Sequence, residues 1–277
     1  MVERHEAGCP TGSRYVSKNS VIPNLEAYAK EKKANAEELM AGFKSQLYAH
    51  RWERACVFTK ENRADFSKFL ADYRGLSMWV FRWLIDNEYI TAYESVKTTK
   101  FGKTFEDLEI AFPVSRPVNW NRWPIESDTE FLGMHLKWIK DSENSGWRYE
   151  PKAKGIGSVP LIMGDPQTAD LVVIAESTWD PIAFMDCYKL HKADFPWAAI
   201  ITRGASNGEH IPTTFKDDAS LLLLTQNDVA NDKWYRSLPE PIRARARSVV
   251  PPQGCKDFND WMKIESAENI QAILKSE

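Results

Sequence analysis

The sequence predicts an α/β protein: a mostly parallel sheet covered by helices toward the C-terminus, a mixed α+β lobe ahead of it, and a helical segment at the N-terminus. Three observations carry this. From Ala169 onward, short apolar runs alternate with helical patterns, as expected for strands buried on both faces of a parallel sheet. Residues 89–165 hold β-prone runs separated by polar turns, the pattern of a small sheet. Residues 24–87 repeat their apolar side chains at helical spacing, as amphipathic helices do. The resulting divisions are an N-terminal helical extension over 1–60, an α+β lobe over 61–166 and the parallel-sheet domain over 167–277.

Composition supports a sizeable core and excludes several classes. The 277 residues are 43% hydrophobic and 27% charged, with a net charge of −3. A polycation is excluded, so any nucleic-acid contact needs a local patch. Lys44–Lys103 carries 11 Lys and Arg against 7 Asp and Glu; a solvated helical face explains this excess as well as a binding surface does. Cysteines 9, 56, 187 and 255 form no CxxC pair and have no adjacent histidine, so no zinc is expected. Reduced thiols in a cytoplasmic protein are the simplest account of so few cysteines. "MVERHEAGCPTGSRY" has no apolar h-region. No window approaches the roughly 18 uninterrupted apolar residues of a membrane span, so no membrane partner is expected.

Taken in order, residues 1–22 read as a loose polar lead-in. Leu25, Ala29, Leu39, Phe43 and Leu47 mark a helical stretch to about residue 55. A second helix fits Arg63–Tyr73, with Phe66, Phe69 and Leu70 inward. Gly75 in "YRGLS" ends it, and Ser77 is placed to cap a helix over Met78–Asn87. The apolar side of that helix is Trp79, Val80, Trp83 and Leu84. "YITAYESV", "LEIAFPVS", "FLGMHLKWI" and "WRYEP" then read as strands. Trp120, Trp123, Trp138 and Trp147 in this region serve either an aromatic core or a platform for stacked bases. The C-terminal strands are "DLVVIAES", "WAAIITRG", "SLLLLTQND" and "ARSVVPP". Helices are expected at "DPIAFMDCYKLHK", with Pro181 in its first turn, at "VANDKWYRSL", and at "SAENIQAILKS", with Ser266 as cap.

The functional signal lies where these strands end. Ligands of open parallel sheets bind beyond the carboxyl ends of the strands. Here those ends carry acid: Glu176 and Asp180 after the first, Asp228 after the third, Asp257 and Asp260 after the fourth. The second ends in "TRGASNGEH", with Arg203 as a cation. Clustered carboxylates repel one another unless a cation neutralises them. A hard divalent ion such as Mg²⁺ takes oxygen ligands, bridges phosphates and activates a hydroxyl. Each acid also has a purely structural explanation as a helix N-cap.

Four stretches in order, "VVIAESTWDPIAF", "IITRGASNGEHI", "LLLLTQNDVANDKW" and "GCKDFNDWM", resemble the motifs of the Toprim domain as it occurs in bacterial DnaG-type primases. Upstream, "FLADYRGLSMWVFRWLIDNEYI", "IAFPV" and "FLGMHLKW…WRYEP" resemble the lobe that precedes the catalytic sheet in that family. The likeness covers residues 60–277. It implies Glu176 and Asp228 as catalytic metal ligands, with Asp180 and Asp257 completing the acidic cluster around Mg²⁺ or Mn²⁺. It also implies Lys137, Arg148, Lys152 and Arg203 as contacts to nucleic acid or nucleotide. The sequence departs from the motifs at Ser177 and Asn231, where glycines are expected, at Gln226, where the first aspartate of an Asp-x-Asp pair is expected, and at Asn259, in the late acidic pair. Gln226 brings an oxygen without charge, so weaker Mg²⁺ binding is expected. The family's zinc-binding and helicase-docking modules have no counterpart here, which leaves room for a replicative helicase on a separate chain.

The function implied is a primase core that synthesises short RNA primers on a single-stranded DNA template from NTPs. Two alternatives use the same residues. A Toprim nuclease would cut phosphodiesters with water in place of the primer hydroxyl. A replication accessory protein with a weakened site, which Gln226 favours, would bind DNA without turnover.

Overall fold

The computed structural model describes residues 47–98, 104–117, 129–138, 147–150 and 157–276. All of these belong to one compact unit spanning 44–277. Most of the expected N-terminal extension, with Cys9, Trp120, Trp123 and Lys152, lies outside the described residues.

A helix whose described part runs over 47–61 (α1) leads into α2 (Arg63–Arg74) and α3 (Met78–Asp86). Gly75 ends α2 in the left-handed region at φ 70°, its N–H donating to Ala71 O at 2.8 Å. A side chain there would strain the backbone, so this glycine sets the direction in which Arg74 leaves the helix. Ser77 stands at the N-cap of α3 without capping it. Its N–H donates to Asp186 Oδ2 at 2.7 Å and its hydroxyl to Asp186 Oδ1, so it fastens α3 to a later helix instead. The buried face of α3 is Val80, Phe81, Leu84 and Ile85. Trp79, expected inward, is 56% exposed, and Phe69 of α2 is 37% exposed. In each helix the long-range packing selects one of two overlapping apolar stripes.

β1 (Thr91–Thr98), β2 (Thr104–Pro117), β3 (Thr129–Trp138) and β4 (Trp147–Glu150) form an antiparallel sheet in chain order. On one face Tyr93, Ala111, Met134 and Leu136 pack against Trp52 and Cys56 of α1. The alternate residues Ala92, Ile110 and Phe112 point into the main core, as the two-residue period of a strand requires.

The second sheet has the order β5-β7-β6-β8-β9. β6 (Leu171–Ala175) is flanked by β7 (Trp197–Ile201) and β8 (Ser220–Leu224), both parallel to it, and β9 (Arg247–Val249) continues beside β8. β5 (Leu161–Met163) runs antiparallel to β7 and joins this sheet from ahead of residue 167. Val173 and Ala175 of β6 face one core, with α4 (Trp179–Cys187) and α7 (Phe258–Ile264). Val172 and Ile174 face the other, with Trp234 of α5 (Val229–Ser237) and Ile242 of α6 (Glu240–Arg245). Burial on both faces explains the unbroken apolar runs, each fully buried aliphatic side chain contributing roughly 1.5–3 kcal/mol. α8 (Ala267–Ser276) follows Ser266, whose hydroxyl accepts from Asn269 N at 3.2 Å. Helices α6 and α7 are too short to show a helical period in the sequence.

The chain passes from β6 to β7 on one side and then crosses to β8 on the other. The strand order therefore reverses between β6 and β8. A crevice opens beyond the carboxyl ends of strands at such a switch point. Among the described residues no helix is long and apolar enough to cross a membrane. Cys56, Cys187 and Cys255 are buried and unpaired.

Candidate active site

Ala175 and Leu224 are register partners at the ends of β6 and β8, so the residues that follow them emerge together at the switch point. Glu176 is half-buried, and its Oε2 is buried without a hydrogen bond. Burial raises the Glu176 pKa, Asp228 raises it further, and Lys256 opposes both. The two carboxylates thus lie within electrostatic reach, as neighbouring strand ends require. Asp228 caps α5, its Oδ1 accepting from Asn231 N at 3.1 Å, while its Oδ2 lies 3.4 Å from Lys256 Nζ. One oxygen of Asp228 closes the helix, and the other faces the Lys256 ammonium. Asn227 between them anchors the following loop, its amide donating to the carbonyls of Pro251, Pro252 and Cys255. An open depression of about 550 Å³, lined in part by Asn227, Val250, Gln253 and Lys256, adjoins this corner.

Asp180 and Asp257 occupy a different environment. Asp180 is 1% exposed. Its Oδ2 accepts from Gln226 Nε2 at 3.0 Å and its Oδ1 from the backbone N–H of Asn259 at 3.3 Å. Burial first, and Asp257 second, push its carboxyl well above the ordinary range; Gln226, Asn259 and Arg74 pull the other way. Asp257 caps α7, accepting from Asp260 N at 2.8 Å. Gln226 turns its amide N–H toward Asp180, while its backbone N–H donates to Asn231 Oδ1 at 3.0 Å. The side-chain amide of Asn259, 1% exposed, makes no hydrogen bond.

The antiparallel sheet faces this corner with aromatic rings and cations. His135 is stacked between Trp147 at 4.2 Å and Tyr149 at 4.6 Å. Trp147 and Phe112 both meet Trp179 at the start of α4, at 6.2 and 5.6 Å. Arg74 lies over the Trp179 ring at 4.3 Å, and Lys137 over Trp147 at 5.5 Å. Burial lowers the pKa of Lys137, and Arg74 lowers it again, so the two cations are neighbours. Arg203, left-handed at φ 58°, donates to Val159 O and lies over Tyr149 at 5.1 Å. Burial brings its pKa down to about 10, with Tyr149 opposing. Burial, then Arg203 and Lys137, push the His135 imidazole down to about 2.

The structure thus brings together Glu176 with Asp228, and Asp180 with Asp257. It puts Lys137 and Arg203 on the aromatic wall. Arg148 pairs with Leu136 through the backbone of β4; its side chain, like all of Lys152, lies outside the described residues. Among the described residues no three His, Cys, Asp or Glu side chains gather to hold one ion. Two carboxylates suffice for Mg²⁺, which keeps several waters and takes its remaining ligands from substrate phosphates, and the unbonded Oε2 of Glu176 fits that duty. Sequence reasoning missed Arg74 and Lys256 as site neighbours. The signal for each was its place in "YRGLS" or "GCKDFNDWM".

No family model and no curated protein matches this chain. Among solved structures, the primase fragment of the bacteriophage T7 primase-helicase protein is similar over 74% of this chain and 72% of that one, at 12% identity and a TM-score of 0.41. A structure of bacteriophage T7 lagging-strand DNA polymerase interacting with primase domains of two gp4 subunits, bound to an RNA/DNA hybrid and dTTP, is similar over 74% of this chain and 87% of that one, at 13% identity and a TM-score of 0.42.

Proposed function

We propose that this chain is a Toprim-type primase core, a nucleotidyltransferase that joins NTPs into short RNA primers on single-stranded DNA. One observation carries the proposal: Glu176 and Asp228 leave adjacent parallel strands at the switch point, and the carboxylates act on each other across it. Mg²⁺ or Mn²⁺ would be held by these two side chains, and when bound it supplies charge neutralisation at phosphate and a lowered pKa for a hydroxyl. The protein's own groups supply the rest. Glu176, with an unbonded oxygen beside the switch point, is placed to hold the ion or to accept the proton of the attacking primer hydroxyl. Lys256 holds Asp228 in place. Arg74 and Lys137 offer positive charge for phosphates of template or nucleotide, and the rings beside them offer a surface for bases.

One specific observation favours a second reading, a weakened site that binds DNA without turnover. Gln226 adds no charge and presents a donor to Asp180. Incubation with single-stranded DNA, labelled NTPs and Mg²⁺ or Mn²⁺ distinguishes the cases. Short labelled products that vanish in Glu176→Gln support the primase. Degraded DNA replaces it with the nuclease. Bound DNA with neither product replaces it with the accessory protein.

A further inference from the structure

The carboxylates at the strand ends form two pairs of opposite character. Glu176 and Asp228 are reachable: Glu176 is half-buried, and the Asp228 side chain is 28% exposed. Asp180 is closed off at 1% exposure, with each oxygen taken by a donor from a separate segment, Gln226 Nε2 at 3.0 Å and Asn259 N at 3.3 Å. Gln226 is itself fixed, since its backbone N–H is held by Asn231. Directly beside Asp180, Asn259 buries a side-chain amide whose nitrogen and oxygen both lack a partner. One side-chain amide, that of Gln226, and one backbone N–H, that of Asn259, thus occupy the two oxygens of a single buried carboxylate. A hydrated Mg²⁺ needs open lone pairs and room for its waters. An amide N–H aimed at the carboxylate offers neither.

Resting on the reading that Glu176 and Asp228 hold a divalent ion, we infer that the chain binds one such ion and not two. Asp180, Gln226 and Asn259 form a cation subsite silenced by the neutral side chains at 226 and 259 and by the donors that occupy both Asp180 oxygens. Asp180 in consequence does not touch the ion: its two oxygens are spent on holding Gln226 and the start of α7. The amides also point to the change that reopens the subsite. Carboxylates at 226 and 259 add two negative charges beside Asp180, which a bound cation stabilises.

Mn²⁺ titration of the full chain, with free ion counted by EPR and folding followed by circular dichroism, tests this. The expected count is one ion per chain, lost in Glu176→Gln and kept within about threefold of wild-type affinity in Asp180→Asn. The double variant Gln226→Asp/Asn259→Asp gains a second ion, with spin coupling between the two Mn²⁺. A wild-type count of two, a folded Asp180→Asn that loses the ion, or a double variant that still holds one each overturns the inference. If Asp180→Asn does not fold, the wild-type count and the double variant decide. A wild-type chain that binds no Mn²⁺ removes the metal-dependent function itself, an outcome distinct from an ion that is bound but depends on Asp180.

Discussion

The two sheets handle charge in contrasting ways. The five-stranded sheet is covered on both faces, so its polar groups are confined to strand ends, where Glu176 and Asp228 emerge. The four-stranded sheet packs one face on α1; its other face puts Ala92, Ile110 and Phe112 into the main core and carries His135, Lys137, Trp147 and Tyr149 toward the candidate site. The difference follows from pleat and topology. A parallel sheet between helices has no polar face to spare, whereas an antiparallel sheet can commit one face to packing and the other to contact. The cations of the candidate site therefore come from a sheet face, and its acids from strand ends.

The contrast is broken most severely by opening the doubly covered core. Leu223 is fully buried, and Leu223→Ala is expected to cost about 3–4 kcal/mol in denaturant unfolding; a loss below about 1 kcal/mol would show that this sheet is not packed on both sides. Next in size is the strand-end acid. Glu176→Gln is expected to lower Mn²⁺ affinity by about 100-fold or more, with a melting temperature unchanged or raised, because it removes the charge that burial and Asp228 disfavour. Unchanged affinity would separate Glu176 from the ion.

The contact face is sharpened by acid. The folded-state pKa of His135 is depressed to about 2, so below an unfolded pKa near 6.5 the unfolded chain binds a proton that the folded chain refuses. Stability is therefore full above about pH 6.5 and falls with decreasing pH, by roughly 2–3 kcal/mol at pH 4.5 from this group alone. His135→Phe keeps a ring in the stack and is expected to flatten that part of the pH profile; an identical slope in both proteins refutes the assignment. The smallest effect is at Lys137. Lys137→Ala is expected to weaken single-stranded DNA binding by roughly tenfold or less and to reduce the salt slope by about 1. A variant with an unaltered slope takes Lys137 off the phosphate path.

Much of this was legible from pattern alone. The runs ending at Ala175, Ile201, Leu224 and Val249 became the parallel strands, because burial on both faces leaves an unbroken apolar signature. Glycine at 75 and the acids at 228 and 257 marked helix boundaries through backbone rules that act within a few residues. The rest was not local. Trp79 and Phe69 read as inward because a helix with apolar residues on more than one stripe does not state which stripe packs. Four acids read as one cluster because their distances in sequence say nothing of depth.

The sequence by itself determined the order of elements, the strand-end placement of Glu176, Asp180, Asp228 and Asp257, and the loss of charge at Gln226 and Asn259. These depend on periodicity and residue chemistry, which a chain carries wherever it folds. Only the tertiary structure decided that β6 and β8 are neighbours, that Glu176 meets Asp228 while Asp180 turns inward, and that Arg74 joins Lys137 on the opposite wall. Those pairings join residues tens of positions apart, and the hydrophobic burial that brings them together has no direction of its own; the strand order it settles on assigns each charge its partner.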